Sequence, residues 1–140
     1  MKFILILLSS FYLLNCAGPQ GIKKDIVGGN YTRTSSGLQY KIIQYGSGPA
    51  AKSGQEVLIR ETTSYLDGTL LFSNENTISV KVLIGGNQAT LAVDEALRGM
   101  KVGEIKQIIA PPNLVKRKFY PSNVSPDSTL AIKIILDKIL

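Results

Sequence analysis

Few side chains in this chain of 140 residues could perform covalent or metal chemistry. The sequence has no histidine and a single cysteine, so it lacks the clustered ligands that a metal site requires. Ser73 and Ser122 have no evident base to activate them as nucleophiles. The pair Gly85-Gly86 lacks the strand–helix context of a phosphate-binding loop. The sequence therefore predicts neither a metal nor a cofactor, and it gives no support to nucleophilic catalysis.

The one reactive side chain in a recognisable setting is Cys16, at the end of an apolar N-terminal stretch. Lys2 supplies a positive charge, and residues 3–14 are apolar apart from two serines, which is typical of an export signal. This stretch is too short to span a membrane as a helix, which needs about 20 residues. Leu13-Leu14-Asn15 before Cys16 resembles a bacterial lipobox, although Asn15 replaces the usual small residue. We expect residues 1–15 to be a lipoprotein signal peptide and Cys16 to be lipidated; the alternative is an ordinary secretory signal with an inert cysteine.

Residues 16–36 have the composition of a flexible tether. They are rich in glycine and small polar residues and show no hydrophobic period. The whole chain has a formal net charge of +6, and removal of residues 1–15 takes away only Lys2, which leaves +5. This excess suits anionic lipid headgroups or acidic partners. Because no clustered basic helix is present, nucleic acid is not an expected partner. We expect an exported protein of the cell envelope that the lipid on Cys16 anchors to a bacterial membrane.

From Gly37 onward, hydrophobic residues recur mostly with a period of two, which predicts β-strands. The Asp67-Gly68 pair predicts a tight turn, because both residues tolerate the positive φ that such a turn requires. The alternating or apolar stretches are Leu38/Tyr40/Ile42, Val57/Ile59/Glu61/Thr63, Ile78/Val80/Val82, residues 105–110 and Leu130/Ile132/Ile134.

One segment, from Ala92 to Met100, predicts a helix. Val93, Leu97 and Met100 fall on one helical face at i, i+4 and i+7, and Asp94 lies in the first turn, where the helix dipole favours an acid. Many strands with one short helix predict an α+β fold, in which an antiparallel, curved β-sheet wraps around the helix.

Four segments also carry a family resemblance: SGLQYKIIQYGSGP from Ser36, YLDGTLLF from Tyr65, VDEALRGMKVGE from Val93 and SPDSTLAIKI from Ser125. Together they resemble the FKBP family of peptidyl-prolyl cis–trans isomerases. The resemblance implies an FKBP-like domain over residues 37–140 and rotamase activity in protein folding. It also implies that the partners are proline-containing or unfolded polypeptides.

The resemblance further implies where a proline pocket would lie. Such a pocket is a dry aromatic trap that needs no nucleophile or metal, because the twisted amide is less polar than the planar one and is favoured when water is excluded. In an ungapped comparison, aliphatic or charged residues replace most of the family's aromatic ones. The pocket positions, with Tyr120 as a replacement aromatic from the loop, are Glu61, Leu71, Phe72, Val80, Ala89, Thr90, Val93, Lys116, Tyr120, Val124 and Ile132. The pocket is therefore expected to be degenerate and isomerase activity to be weak.

Two features of this pocket have alternative interpretations. One extra residue after Asp67-Gly68 would move Phe72 onto the family's phenylalanine position, and a β-bulge could absorb that shift. The carboxylate of Glu61 is either paired with Lys116 or Arg117 from the loop, or solvated at an open strand end.

Three functions are consistent with the sequence. The first is an FKBP-type isomerase on a lipoprotein that acts on or binds exported polypeptides. The second is a non-catalytic chaperone or protein-interaction module on the same fold. The third is a surface protein whose basic loop, residues 116–118, engages a membrane or acidic partners.

Overall fold

Seven β-strands, one α-helix and one short 3-10 helix make up the described part of the chain, residues 29–140 of a computed structural model. The predicted signal peptide, the lipidated Cys16 and most of the predicted tether lie outside these residues. The elements are β1 (Thr32–Arg33), β2 (Gln39–Gln44), β3 (Glu56–Tyr65), β4 (Leu70–Ser73), β5 (Val80–Leu83), α1 (Leu91–Leu97), β6 (Ile105–Ala110), the 3-10 helix (Pro112–Leu114) and β7 (Leu130–Ile139).

The strands form one antiparallel sheet in the order β1-β2-β6-β7-β3-β4. Strand β3 is long enough to take two partners on its other edge, because β5 pairs with its first half and β4 with its second half. The helix packs against one face of this curved sheet, and the shared core joins residues from α1, β3, β6 and β7. This architecture confirms the predicted α+β fold.

The two longest strands, β3 and β7, form the centre of the sheet. In β3, Val57, Ile59 and Thr63 are buried and their neighbours are partly exposed, which is the alternation predicted from the sequence. Strand β7 is buried along most of its length because it lies between β3 and β6. Central strands of this kind hold the surrounding elements at fixed positions.

The helix is set by its cap and by its apolar face. The hydroxyl of Thr90 accepts a hydrogen bond from the backbone N–H of Val93, which satisfies one of the free donors at the helix start. Val93, Leu97 and Met100 are all buried, as the sequence predicted. The helix ends at Leu97, earlier than expected, because the backbone turns extended after it and Gly99 takes a φ of 85°.

A buried ion pair lies under the helix. Lys106 Nζ is 3.4 Å from a carboxylate oxygen of Glu104 and donates a hydrogen bond of 2.9 Å to the carbonyl oxygen of Ala96. The ammonium also lies 5.4 Å from the centre of the Tyr40 ring. Burial lowers the pKa of Lys106, and the neighbouring Glu104 carboxylate partly opposes that change. These contacts connect the helix to β6 and fix its position over the sheet.

Two strands depart from the sequence interpretation. Strand β1 lies inside the predicted tether: Thr32 and Arg33 pair with Tyr40 and Gln39, so the sheet includes residues that precede 37. The residues after the Asp67-Gly68 turn were not predicted to be a strand, yet they form β4 against β3. Within residues 29–140, no helix has the length and apolar character needed to cross a bilayer.

Candidate functional site

A cleft of about 570 Å³ opens beside the start of α1. Strands β3, β4 and β5 form one side, the turn before the helix forms another, and the loop after the 3-10 helix forms the rim. The lining residues are Ile59, Glu61, Phe72, Val80, Val82, Asn87, Gln88, Ala89, Thr90, Val93, Lys116, Arg117 and Lys118. The cleft is therefore the place where the sheet, the helix and a charged loop meet.

The floor of the cleft is aliphatic. Ile59, Val82 and Val93 line it and are almost completely buried. Val80 lies directly opposite Ile59 in the β3–β5 pairing, and its side chain is 46% exposed. Such a floor can accept an apolar ring, but branched aliphatic side chains offer less flat contact area than aromatic rings do.

Phe72 is the one aromatic side chain among the residues that line the cleft. Thr63 pairs with Phe72 and Ser64 pairs with Leu70, so Leu71 is the extra residue of a β-bulge. Cross-strand partners share a face, so Phe72 lies on the same face as Thr63. Phe72 is 49% exposed, so this wall of the cleft is incomplete.

Glu61 brings a carboxylate into the cleft. Its backbone is fixed, because the N–H of Glu61 donates to Asn74 Oδ1 at 2.7 Å and its carbonyl oxygen accepts from the N–H of Asn74 at 3.1 Å. The side chain is partly buried. Burial raises the pKa of Glu61, and the positive charge of Arg117 partly opposes this rise. Among the described residues, Glu61 forms no ion pair within 4.0 Å. Arg117 therefore acts on this carboxylate through its charge and not through a direct contact.

The turn between β5 and α1 is held in a defined shape. The side-chain oxygen of Gln88 accepts a hydrogen bond of 2.8 Å from the backbone N–H of Leu83, and Asp94 accepts one from the N–H of Gly85. Asn87 takes a φ of 56°, which asparagine tolerates better than most residues. This turn sets Ala89 and Thr90 at the mouth of the cleft.

The rim of the cleft is a basic loop that directly follows two buried residues. Leu114 and Val115 are buried, and Lys116, Arg117 and Lys118, which follow them directly, are exposed. The backbone N–H of Arg117 donates to the hydroxyl of Tyr120 at 3.2 Å. The rim therefore places three cations beside an aliphatic floor.

Similarity to known proteins agrees with this geometry. The sequence model of "FKBP-type peptidyl-prolyl cis-trans isomerase" matches residues 48–137 of the chain. The chain belongs to this family. Among curated FKBP-type relatives, "Peptidyl-prolyl cis-trans isomerase FKBP19, chloroplastic" of Arabidopsis thaliana is 35% identical over 107 residues, which cover 67% of this chain and 40% of that protein. "Peptidyl-prolyl cis-trans isomerase Mip" of Coxiella burnetii is 32% identical over 108 residues, which cover 73% of this chain and 44% of that protein.

The chain spans less than half the length of these two curated FKBP-type relatives. Solved structures support the fold. AtFKBP13 has a TM-score of 0.71 at 21% identity, with 80% of this chain and 100% of that chain covered. FkpA from Escherichia coli has a TM-score of 0.67 at 22% identity, with 78% of this chain and 51% of that chain covered.

The structure brings together six of the predicted pocket positions in this cleft: Glu61, Phe72, Val80, Ala89, Thr90 and Val93. It also places Lys116 there. The alternative register, in which a bulge carries Phe72 to the pocket, matches the observed strand pairing.

Four of the predicted pocket residues of this FKBP-type domain lie elsewhere. Leu71 is the bulged residue, and it packs against the core. Ile132 is 1% exposed in β7, where Thr63 and Ile108 flank it. Val124 packs against the core from the loop, and the hydroxyl of Tyr120 is engaged by the rim backbone. An ungapped comparison does not show the path of the loop, which places Tyr120 and Val124, or the bulge, which places Leu71.

Five residues that line this cleft were predicted neither as pocket positions nor as partners of Glu61: Ile59, Val82, Asn87, Gln88 and Lys118. Two of them could have been predicted from the strand period, because residues two positions apart in a strand lie on the same face. Ile59 precedes Glu61 by two positions, and Val82 follows Val80 by two. Asn87 and Gln88 depend on the turn geometry, which no period reveals.

A second cleft, of about 330 Å³, lies on the other side of the helix. Tyr40, Glu95 and Arg98 line it together with the ion pair of Lys106 and Glu104. The charged groups of that pair already bond to each other and to the backbone, so they are not free to bind a ligand. The larger cleft is therefore the candidate functional site.

Proposed function

We propose that this chain is a weak FKBP-type peptidyl-prolyl cis–trans isomerase that acts on or binds exported polypeptides. The observation that carries the proposal is the composition of the larger cleft: an aliphatic floor, Phe72 as its aromatic side chain, and the partly buried carboxylate of Glu61. The fold provides a place for a proline ring. The walls of the cleft exclude less water than the reaction requires.

The reaction itself needs no covalent chemistry. Rotation about the bond before proline has a barrier of about 18–20 kcal/mol, because the twisted amide loses its resonance. A protein lowers this barrier when it binds the twisted form more tightly than the planar one. A dry apolar wall does so, because the planar amide is the more polar species and gains more from water.

Individual residues have separate roles in this proposal. The ring of proline would rest on Val93 and Ile59, and Phe72 would cover one side of it. Ala89 and Thr90 would border the peptide at the helix start. Glu61 works against the reaction, because a carboxylate that draws in water keeps the planar amide solvated.

The test is a comparison of rotation rates on one proline peptide. We expect the full chain to accelerate cis–trans exchange, measured by NMR exchange spectroscopy, far less than Mip of Coxiella burnetii does in parallel. Glu61→Tyr and Val93→Trp should each raise the rate of the chain, because they restore aromatic surface to the cleft. Ile43→Trp, at an exposed site away from the cleft, serves as the matched control and should change nothing. Rates equal to those of Mip would refute the proposed weakness, and no response to either cleft variant would refute the proposed geometry.

A second candidate is a binding module that holds extended segments without rotating prolines. The position of Glu61 in an open cleft favours it, because a hydrated site can bind two amide states equally well. Binding of proline peptides with no detectable exchange in the same NMR experiment would select this candidate over the isomerase.

We also propose a location: residues 1–15 direct export, the lipid on Cys16 anchors the protein to a bacterial membrane, and the residues between Cys16 and strand β1 tether the folded domain at the cell envelope. The support is the apolar stretch that ends at Cys16. Cys16→Ser should release the protein from the membrane fraction and abolish incorporation of labelled palmitate. Continued membrane association of the unlabelled variant would refute the anchor.

A further inference from the structure

None of the three cations at the rim of the larger cleft forms an ion pair within 4.0 Å among the described residues. Five ion pairs form among residues 29–140, and none of them uses a rim cation: Arg60–Asp137, Lys81–Glu56, Arg98–Asp94, Lys106–Glu104 and Lys133–Glu75. Within the cleft, Lys116, Arg117 and Lys118 face a single carboxylate, that of Glu61. The cleft therefore has an excess of two positive charges when all four groups are ionised.

The backbone that carries the rim cations is held in place. The buried side chains of Leu114 and Val115 anchor the loop immediately before them, and the N–H of Arg117 is bonded to Tyr120. The charge of Arg117 reaches Glu61 strongly enough to oppose the rise in its pKa. A ligand in the cleft would therefore also lie within range of this charge.

We propose that Lys116, Arg117 and Lys118 select proline segments that carry aspartate or glutamate next to the proline. This inference rests on the proposed function, because it names the class of polypeptide that the cleft takes. The proline would bind on the aliphatic floor, and carboxylates of the flanking residues would bind at the rim.

The shape of the site favours a polypeptide over a lipid surface as the acidic partner. The three cations line a cleft together with Phe72 and Glu61 instead of lying on a flat face. An extended peptide can enter a cleft of about 570 Å³, whereas a bilayer surface can reach only the outside of the rim. Charge complementarity within the cleft therefore indicates an acidic segment.

The test uses two fluorescently labelled proline peptides that differ only in glutamate or glutamine at the flanking positions. Fluorescence anisotropy gives their affinities for the full chain. Exposed charge pairs contribute only modestly to affinity, so the acidic peptide should bind about three- to tenfold more tightly at low salt. High salt should reduce that ratio, because it screens exposed charges.

Two triple variants with the same change in net charge separate the rim from the overall charge of the domain. Lys116→Gln/Arg117→Gln/Lys118→Gln should bring the ratio close to one. Lys52→Gln/Lys101→Gln/Lys138→Gln removes three exposed lysines that lie outside the cleft and should preserve the ratio. Circular dichroism checks that both variants are folded.

The outcomes are distinguishable. If neither peptide binds or is rotated, the proposed function fails and the inference fails with it. If the glutamine peptide binds as tightly as the glutamate peptide, the inference alone is overturned. The inference is also overturned if the control triple variant loses the preference, or if the rim variant keeps it. Vesicles of phosphatidylcholine and phosphatidylglycerol provide the last comparison: loss of vesicle binding in the rim variant, with the peptide ratio unchanged, would assign the loop to a membrane.

Discussion

Replacement of Glu61 by glutamine should stabilise the domain at neutral pH. In the folded protein, burial is the main cause that raises the pKa of Glu61, and Arg117 only partly opposes it. Folding therefore favours the protonated carboxyl group over the carboxylate. Glutamine has nearly the same shape and no charge, so Glu61→Gln removes the unfavourable burial of an anion and leaves the backbone bonds to Asn74 in place.

The magnitude follows from the partial burial of Glu61. Burial of an imperfectly bonded polar group costs about 1–3 kcal/mol, and we take the lower end because water and Arg117 both reach this carboxylate. The expected gain is about 1 kcal/mol, or about 5 °C in the melting temperature of a domain of this size. Since the pKa is raised on folding, the gain is complete above the folded pKa. It disappears as the pH falls to the ordinary glutamate value of about 4.3, below which both states are protonated.

Glu75→Gln is the matched control, with the opposite sign. A hydrogen bond from Lys133 is the main cause that lowers the pKa of Glu75, and the side chain is about a third exposed. Glutamine there should cost up to about 1 kcal/mol above the ordinary glutamate pKa, and the loss should vanish as the pH falls through the lowered folded value. Urea unfolding followed by circular dichroism at several pH values gives both curves. A Glu61→Gln variant that is less stable than the parent at neutral pH would refute the reasoning.

Three further substitutions test the core, with thermal and urea unfolding as the common measurement. Lys106→Met should cost about 3 kcal/mol or more because it leaves the buried carboxylate of Glu104 unpaired, and Lys106→Met/Glu104→Leu should recover most of that loss; additive losses would contradict this account. Leu97→Ala, at a fully buried helix position, should cost about 2–5 kcal/mol, and a loss below 1 kcal/mol would show that the helix packs loosely. Thr63→Val should be neutral or stabilising by up to about 1 kcal/mol, because the buried Thr63 hydroxyl has no hydrogen-bond partner among the described residues; a clear loss would indicate that the hydroxyl is satisfied in solution.

The sequence predicted those parts of the fold that depend on the local period of hydrophobic residues and on the residues that begin or end an element. Strand β6 was expected at residues 105–110 and lies there, because four of its six residues are apolar and Pro111 ends it. The buried helix face was predicted from i, i+4 and i+7 spacing, which does not depend on where the helix stops. Strand β4 was missed because its residues, Leu70 to Ser73, show no clear alternation and pair with β3 only through a bulge.

The candidate site was harder to predict because long-range contacts decide which residues reach it. The local sequence allowed either Leu71 or Phe72 to line the cleft, and the bulge opposite Thr63 and Ser64 gives that place to Phe72. The path of the loop is set by bonds to a distant strand: the hydroxyl of Tyr65 donates to the carbonyl oxygen of Asn123 and accepts from the N–H of Ser125, both at 2.9 Å. No residue spacing within the loop contains that information.

Under the proposed function, the same cleft would hold a proline segment well and rotate it poorly, because the two tasks depend on different residues. Contacts with the aliphatic floor and charge attraction at the rim act equally on the planar and the twisted amide. Such uniform binding lowers KM and leaves kcat unchanged. Only side chains that exclude water from the amide favour the twisted form, and each tenfold gain in rate requires about 1.4 kcal/mol of that preference. Neutralisation of Lys116, Arg117 and Lys118 should therefore weaken acidic peptides through KM, whereas Glu61→Tyr should act through kcat. A rim variant that changes kcat alone would mean that the loop, and not the wall of the cleft, controls the hydration of the amide.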